Sequence, residues 1–221
     1  MKFKILPLLV LAALPAMAQE RWQVGIGFNG WTSTREDYAS ANTLVNFKKN
    51  SRVVPGLQAG YTFKHFTGSD LSATAEYQFN SSAGFSAIGR GTSPGGGSAV
   101  VNRNGKMEKS FFAPGIQWNF HPHIDLGLGL QYRFERLHAY DNTGSTSTNN
   151  DRPWLNLYWG YTFKTEARVK PFVAFRSSFA LSFTSSPGTV GEIFNTDGGE
   201  KRLMRSMAGD SEGNFQVGVR F

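Results

Sequence analysis

His138 is the residue of this sequence best placed to act as a catalytic base, because a stretch rich in serine and threonine follows it. A lipid hydrolase would need a nucleophile, a base that takes the proton of the nucleophile and an acid that orients the base. The sequence contains no compact arrangement of serine, histidine and a carboxylate, and it contains no cysteine. We therefore predict a protein that is not an enzyme, with no catalytic residue, and keep hydrolysis as an alternative.

The pair His121 and His123 is a second place where chemistry is conceivable. The two residues flank Pro122, and only Asp125 lies near them as a further ligand. Metal sites normally need three or four ligands, so the pattern favours a polar turn and predicts neither a metal nor another cofactor. The glycine-rich stretch 89–98 lacks the Gly-Lys-Ser/Thr ending of a phosphate-binding loop, and it is typical of a flexible loop tip.

Eight segments alternate apolar and polar residues with a period of two, which is typical of β-strands. Their apolar faces are wide, whereas their other faces consist mainly of Gly, Gln, Asn, Thr and Ser, with a few charges. The segments are 22–28, 57–63, 71–79, 112–120, 126–134, 155–163, 173–181 and 215–221. Pro114 departs from the pattern because it removes a backbone donor, and the seventh segment has the weakest alternation.

Aromatic residues lie preferentially near the ends of these apolar faces, and aliphatic residues lie between them. Two such aromatic girdles are typical of a transmembrane β-barrel, whose apolar side chains point outward. A soluble barrel would have the reverse arrangement and is the structural alternative. The girdle residues are Trp22, Phe63, Trp118, Phe120, Phe163 and Phe221 at one end and Phe28, Phe79 and Phe134 at the other.

Charged residues also occur on the polar faces, where the alternation directs them into the lumen. Unpaired charge in a narrow lumen is costly, so these acids and bases should pair, although the sequence leaves the pairing open. An eight-stranded barrel is just wide enough for side chains to fill, which favours a plug over a gated pore. The predicted lumen charges are Glu76, Arg133, Glu135, Arg176 and Arg220.

Residues 1–18 have the three parts of a secretory signal peptide. Lys2 and Lys4 precede a short apolar core, and Ala16-Met17-Ala18 is the small-x-small pattern that signal peptidase accepts. We predict that this segment is cleaved and that residues 19–221 form one domain. No later stretch has the length and apolarity of a membrane-spanning helix, which needs about 20 residues.

The connections between the predicted strands alternate between long and short. The long ones, 32–52, 80–110, 137–153 and 182–213, are rich in Ser, Thr, Asn and Gly. The short ones are 64–70, 121–123 and 164–170. Bacterial outer-membrane barrels have long external loops and short periplasmic turns. The sequence therefore predicts an all-β fold: an eight-stranded antiparallel up-and-down transmembrane β-barrel with four long external loops and three short periplasmic turns.

The C-terminal run resembles the terminal signature of outer-membrane β-barrels. Phe221 is the last residue, and apolar residues occupy every second position before it, at Phe215, Val217 and Val219. The stretches 115–134 and 155–163 resemble strands and hairpins of the small OmpA/OmpX/opacity-type barrels. This resemblance implies recognition of the last strand by the barrel-assembly machinery and a network of ion pairs inside the barrel. It extends over the mature chain as a pattern.

These observations together predict an integral protein of the bacterial outer membrane with a structural, adhesive or surface-interaction role. Its partners would be outer-membrane lipid, lipopolysaccharide and an unidentified external ligand, with no nucleic acid. The first two long loops carry a net positive charge that could contact lipopolysaccharide phosphates or could simply be solvated. The alternatives are a narrow porin-like channel for small solutes and a lipid-modifying enzyme.

Overall fold

The computed structural model describes residues 21–30, 37–40, 43–47, 53–92, 98–120, 124–141, 144–182, 201, 204–205 and 208–221. The predicted signal peptide and the turn 121–123 lie outside these residues, as do most of the first and fourth predicted loops. A search of the described residues finds no helix with the length and apolarity needed to cross a membrane.

Eleven β-strands make up most of the described chain. They are β1 (Trp22–Gly30), β2 (Asp37–Ser40), β3 (Thr43–Phe47), β4 (Val53–Phe66), β5 (Ser69–Thr92), β6 (Ser98–Phe120), β7 (Ile124–Asp141), β8 (Gly144–Asn149), β9 (Arg152–Thr162), β10 (Lys170–Ala180) and β11 (Ser211–Arg220). Helical backbone geometry occurs at Lys201, Met204, Arg205 and Ala208, just before β11.

Eight of the strands close into an antiparallel barrel in the order β1, β4, β5, β6, β7, β9, β10 and β11. β11 pairs with β1 from Arg220 opposite Gln23 to Gly213 opposite Gly30. Trp22 and Phe221 exchange two backbone hydrogen bonds of 3.0 Å at the end of this seam. Each strand is a neighbour of the next one along the chain, so the predicted eight-stranded up-and-down barrel is confirmed.

The long connections are more regular than the sequence predicted. β5 and β6 remain paired from Ser69 opposite Phe120 to Thr92 opposite Ser98, so the predicted loop 80–110 is largely a β-hairpin. β8 pairs with the distal part of β7, and the two strands together occupy most of the predicted loop 137–153. Pairing satisfies the backbone N–H and C=O groups of both strands in each hairpin. The polar side chains of these strands do not prevent this pairing. We call this end of the barrel the loop end.

The opposite end, which we call the turn end, carries the short connections. β4 and β5 are joined by Thr67 and Gly68, and Gly68 has a φ of 82° that favours glycine. β9 and β10 are joined by residues 163–169. The first residues of β1 and the last residues of β11 lie at the same end because the two strands are antiparallel.

The two faces of the barrel have opposite polarity, as the alternation predicted. Leu57, Ile116, Leu128 and Leu157 on the outer face are about half exposed, whereas polar residues point inward and are buried. The outer aromatic residues include Phe63, Trp118 and Phe163 toward the turn end and Phe79 and Phe134 toward the loop end. Phe221 differs from the other predicted girdle residues because it is buried.

Close packing inside the barrel depends on glycine at specific positions. Phe172 of β10 points inward and is buried. A Cβ atom added to Gly218 would lie 2.7 Å from Cε1 of Phe172 and 2.3 Å from the carbonyl oxygen of Val24. The inward aromatic ring therefore fits because the facing strand carries no side chain there. Pro114 lies within β6 opposite Ala75, and pairing with β7 is interrupted beside it.

Candidate functional site

The middle of the lumen contains the ion pair Glu76–Arg176. Arg176 Nη2 lies 2.6 Å from Glu76 Oε2, and both side chains are almost completely buried. The other carboxylate oxygen, Oε1, accepts a hydrogen bond of 3.2 Å from the side-chain amide of Asn29. The amide of Asn214 in turn donates to Asn29 Oδ1. β1, β5, β10 and β11 are thus tied together across the lumen by charge and amide groups.

A second, larger cluster lies nearer the loop end. Glu212 Oε2 accepts a hydrogen bond of 2.6 Å from Arg133 Nη1, and Lys109 donates to the other oxygen of Glu212. Lys109 Nζ also lies 3.2 Å from Glu135 Oε1. Asn150 donates its side-chain amide to Glu135 Oε2. Two cations and two carboxylates therefore neutralise each other within this cluster.

Arg133 is also enclosed by aromatic rings. Its guanidinium carbon lies 3.8 Å from the ring centroid of Trp154 and 4.5 Å from that of Phe111. All three side chains are buried. A cation placed over an aromatic face in a desolvated site is attracted by the ring quadrupole. Three bulky side chains therefore pack against one another inside the lumen at this level.

The chain just before β11 packs against the loop end of the lumen. Arg152 forms an ion pair with Asp210 and donates to the backbone oxygen of Gly209. Met204 and Ala208 are buried, and Lys109 Nζ is 3.5 Å from the backbone oxygen of Ala208. The described part of this segment thus covers the cluster around Glu212 from the loop end.

A third ion pair lies toward the turn end. Arg220 Nη1 is 2.9 Å from Asp125 Oδ1 and 2.8 Å from Thr162 Oγ1. Thr162 donates a hydrogen bond of 2.9 Å to the other oxygen of Asp125. The guanidinium of Arg220 lies 5.2 Å from the ring centroid of Phe172. This group forms the floor of a cavity that opens at the turn end.

All five predicted lumen charges point inward, but they do not form one cluster. Glu76 pairs with Arg176, whereas Arg133, Glu135 and Arg220 have partners that the sequence reasoning missed. The missed partners are Lys109, Asp125, Arg152, Asp210 and Glu212. Lys109, Asp125, Arg152 and Glu212 lie just beyond the predicted strand ends, and extending the alternation by a few residues would have found them. Asp210 precedes β11, and only the tertiary structure shows its role.

The described lumen charges balance. Five cations (Lys109, Arg133, Arg152, Arg176, Arg220) face five carboxylates (Glu76, Asp125, Glu135, Asp210, Glu212) in ion pairs. Breaking one such buried pair leaves an uncompensated charge and is strongly destabilising. A balanced interior of this kind is suited to holding eight strands in register.

The surroundings of His138 show how far the structure resembles a hydrolase site. Its Nδ1 forms a hydrogen bond with Ser147 Oγ, and Glu108 lies opposite it in the ladder between β6 and β7. However, Glu108 and His138 form no ion pair; Glu108 Oε2 instead accepts a hydrogen bond of 3.4 Å from Tyr140 OH. Desolvation, followed by the charge of Glu108, raises the pKa of Tyr140. The described side chains thus provide a serine–histidine pair whose base is not oriented by this carboxylate.

Metal binding finds no support in the part of the chain that the structure describes. No group of three or more His, Asp or Glu side chains there has the proximity needed to hold a metal ion. The predicted polar turn with His121 and His123 lies outside the described residues.

Comparison with known proteins identifies no matching family model and no curated protein with significant similarity.

Proposed function

We propose that the chain is an integral protein of the bacterial outer membrane, exported by its N-terminal segment and inserted by the barrel-assembly machinery. We further propose that it is not an enzyme and uses the structures at its loop end for a structural or surface-interaction role. The observation that carries this proposal is the polarity of the closed barrel. Its outside is apolar and aromatic, whereas its inside holds paired charges.

An apolar outer face and a charged interior are the arrangement that is stable in the hydrocarbon core of a membrane. A closed barrel leaves no unpaired strand edge, which satisfies the backbone in lipid. Large apolar side chains on the outer face, such as Leu128, Leu157 and Trp159, would be costly to expose to water over a surface of this size. Lipid-facing aliphatic residues between two sets of aromatic residues are typical of outer-membrane barrels. Outer-membrane lipid and lipopolysaccharide are therefore the proposed surroundings.

The loop end is the proposed interaction surface. The β5–β6 hairpin and the β7–β8 hairpin extend the barrel wall at this end, and the buried ion pairs make the base of both hairpins rigid. Binding residues are often carried by connections on a rigid scaffold. We expect the external ligand to contact these two hairpins.

A narrow channel is the second candidate function, and one observation favours it. Several buried polar atoms in the lumen have no hydrogen-bond partner in the structure, among them Gln58 Oε1, both side-chain polar atoms of Gln216 and Ser178 Oγ. Buried polar groups of this kind are commonly satisfied by internal water. Water at these positions would provide part of a polar path, which the side chains around Arg133 would still interrupt.

The test of location uses the full chain expressed in a Gram-negative bacterium. We expect recovery in the outer-membrane fraction after carbonate washing, with a shift in gel migration between unheated and boiled samples. The variant Phe221→Ser is compared with the unmodified chain, because it changes only the residue at the end of the last strand. It should lower the folded, membrane-inserted fraction. Recovery of the unmodified chain in the soluble periplasmic fraction would refute the proposal.

Conductance in planar lipid bilayers separates the plugged barrel from the channel. We expect no steady openings from the purified, folded protein, because Arg133, Trp154 and Phe111 pack together inside the lumen. Steady single-channel openings that disappear on substitution of Arg133 or Arg176 would establish the channel instead.

A further inference from the structure

The turn end of the barrel contains a cavity of about 570 Å³. This volume lies within the range of small-molecule sites, roughly 300–1,000 Å³. Its floor includes Arg220, and its walls include Arg21, Lys164 and Lys170. The cavity is far from the ion-pair cluster around Glu212 and does not belong to the proposed interaction surface at the loop end.

The lining of this cavity is strongly cationic. Among the residues that the structure describes, four Arg and Lys side chains line it, and Asp70 is the one carboxylate. Asp70 Oδ1 is already 2.8 Å from Nδ1 of His65. Asp125 balances Arg220 from the opposite side of the floor. Arg21 and Lys164 therefore make the described lining positive, and low-dielectric walls concentrate the field of such charges on a ligand in the cleft.

The strand register places two of the lining cations side by side. Lys170 of β10 lies directly opposite Arg220 of β11, and both residues line the cavity. Arg220 Nη1 contacts Asp125 and Thr162, and Tyr158 is a further hydrogen-bond partner of the guanidinium. Arg220 therefore contributes its positive charge to the cavity.

Neutral polar groups complete the lining. Gln23, Thr62, Asn119, Thr162 and Thr165 contribute amides and hydroxyls. Amides and hydroxyls donate and accept hydrogen bonds, so they complement a ligand that carries hydroxyl groups. The cations complement phosphate or carboxylate oxygens. The combination matches a small anionic sugar better than an apolar or a cationic ligand.

We propose that this cavity is a binding site for an anionic sugar, with its oxyanion held by Arg21 and Lys164 and attracted by the charge of Arg220. Phosphate and carboxylate share the required chemistry. Under the topology proposed above, the site opens to the periplasm. The binding itself requires only the folded barrel, so its test is independent of the test of membrane location.

The experiment is a titration of the folded protein in uncharged detergent, observed through the side-chain amide resonances of 15N-labelled glutamine and asparagine. The probes are glucose 6-phosphate, glucuronate, glucose and inorganic phosphate. We expect saturable shifts of the Gln23 and Asn119 amides with the first two probes, which weaken as salt is added, and little effect on the amide of Asn214 in the middle of the lumen. Glucose should not bind, and inorganic phosphate should bind more weakly than glucose 6-phosphate. The stronger of the two anionic sugars identifies the oxyanion.

The variants test whether the cavity is the site. Arg21→Gln and Lys164→Gln together should weaken binding at least tenfold, and each alone should weaken it less. Arg168→Gln is the matched control, because Arg168 lies in the same β9–β10 turn but does not line the cavity. Absence of saturable binding by both anionic sugars would overturn the proposal. Equal losses in Arg168→Gln and Lys164→Gln would also overturn it, since they would indicate non-specific attraction. The heat-dependent gel shift verifies that each variant is folded.

Discussion

The guanidinium carbon of Arg133 lies over the indole ring of Trp154, 3.8 Å from the ring centroid, deep inside the barrel. Neither side chain has measurable exposure to solvent. Arg133 comes from β7 and Trp154 from β9, so the contact links two neighbouring strands on the loop-end side of the middle of the lumen. The same guanidinium donates to Glu212 of β11. One side chain thus joins an aromatic plug to the ion-pair cluster.

Removing the aromatic plug should destabilise the barrel strongly. Trp154→Ala deletes a large buried side chain and leaves a cavity beside Arg133, which typically costs about 3–5 kcal/mol. The measurement is urea-dependent unfolding of the protein in lipid vesicles. Trp159→Ala is the control, because Trp159 lies on the outer face of the same strand. A loss in Trp154→Ala no larger than in the control would contradict the plug.

The pair Glu76–Arg176 should behave as a coupled unit. Arg176→Met leaves a buried carboxylate without its cation and should lower the free energy of unfolding by about 3–5 kcal/mol. Adding Glu76→Gln to that variant should recover part of the loss, because the remaining amide is neutral and can still contact Asn29. A double-mutant cycle measured by urea unfolding gives the coupling energy. Additive effects of the two substitutions would show that the pair does not interact.

A methyl group at Gly218 should disturb the seam between β1 and β11. Gly218→Ala forces a Cβ against Phe172 and the Val24 carbonyl, and overpacking of this kind costs roughly 1–3 kcal/mol. Gly30→Ala, at the other end of the same seam, is the control. Its added Cβ would lie 3.6 Å from the nearest atom, the Gly213 carbonyl oxygen, which is an ordinary contact. Equal unfolding midpoints for the two variants would refute this account of the packing.

A charge on the outer face distinguishes lipid from water as the surrounding medium. Leu128 lies in the aliphatic part of the outer face, opposite Leu157. If lipid surrounds the barrel, Leu128→Arg should cost about 2–4 kcal/mol in unfolding from a bilayer. Ser145→Arg, in β8 at the loop end, should have little effect. A variant at Leu128 that unfolds like the unmodified protein would argue against membrane insertion.

The serine–histidine pair at the loop end gives a direct test of catalysis. Because Glu108 does not orient His138, we expect the protein to leave membrane lipids unchanged. Mass spectrometry of lipid A and phospholipids should give the same acylation pattern for cells with the protein, with Ser147→Ala and without the protein. Deacylation that depends on both Ser147 and His138 would establish an enzyme and replace the proposed role.

The sequence alone determined the strands, their polarity and the closed barrel, because alternation with a period of two is a local property. The same alternation predicted five side chains that point into the lumen, those of Glu76, Arg133, Glu135, Arg176 and Arg220. The ends of the strands were less predictable. Polar composition suggested loops at 80–110 and 137–153, but cross-strand pairing of the backbone is indifferent to that composition, and most of both segments is strand.

Only the tertiary structure decided which charges meet and where space remains. Arg133 and Glu212 are separated by 79 positions in the chain, and the shear of the closed sheet brings them within 2.6 Å of each other. The cavity at the turn end likewise depends on β1, β4, β9, β10 and β11 converging there. Contacts across a lumen depend on the register of all eight strands at once, and no local pattern of residues specifies that register.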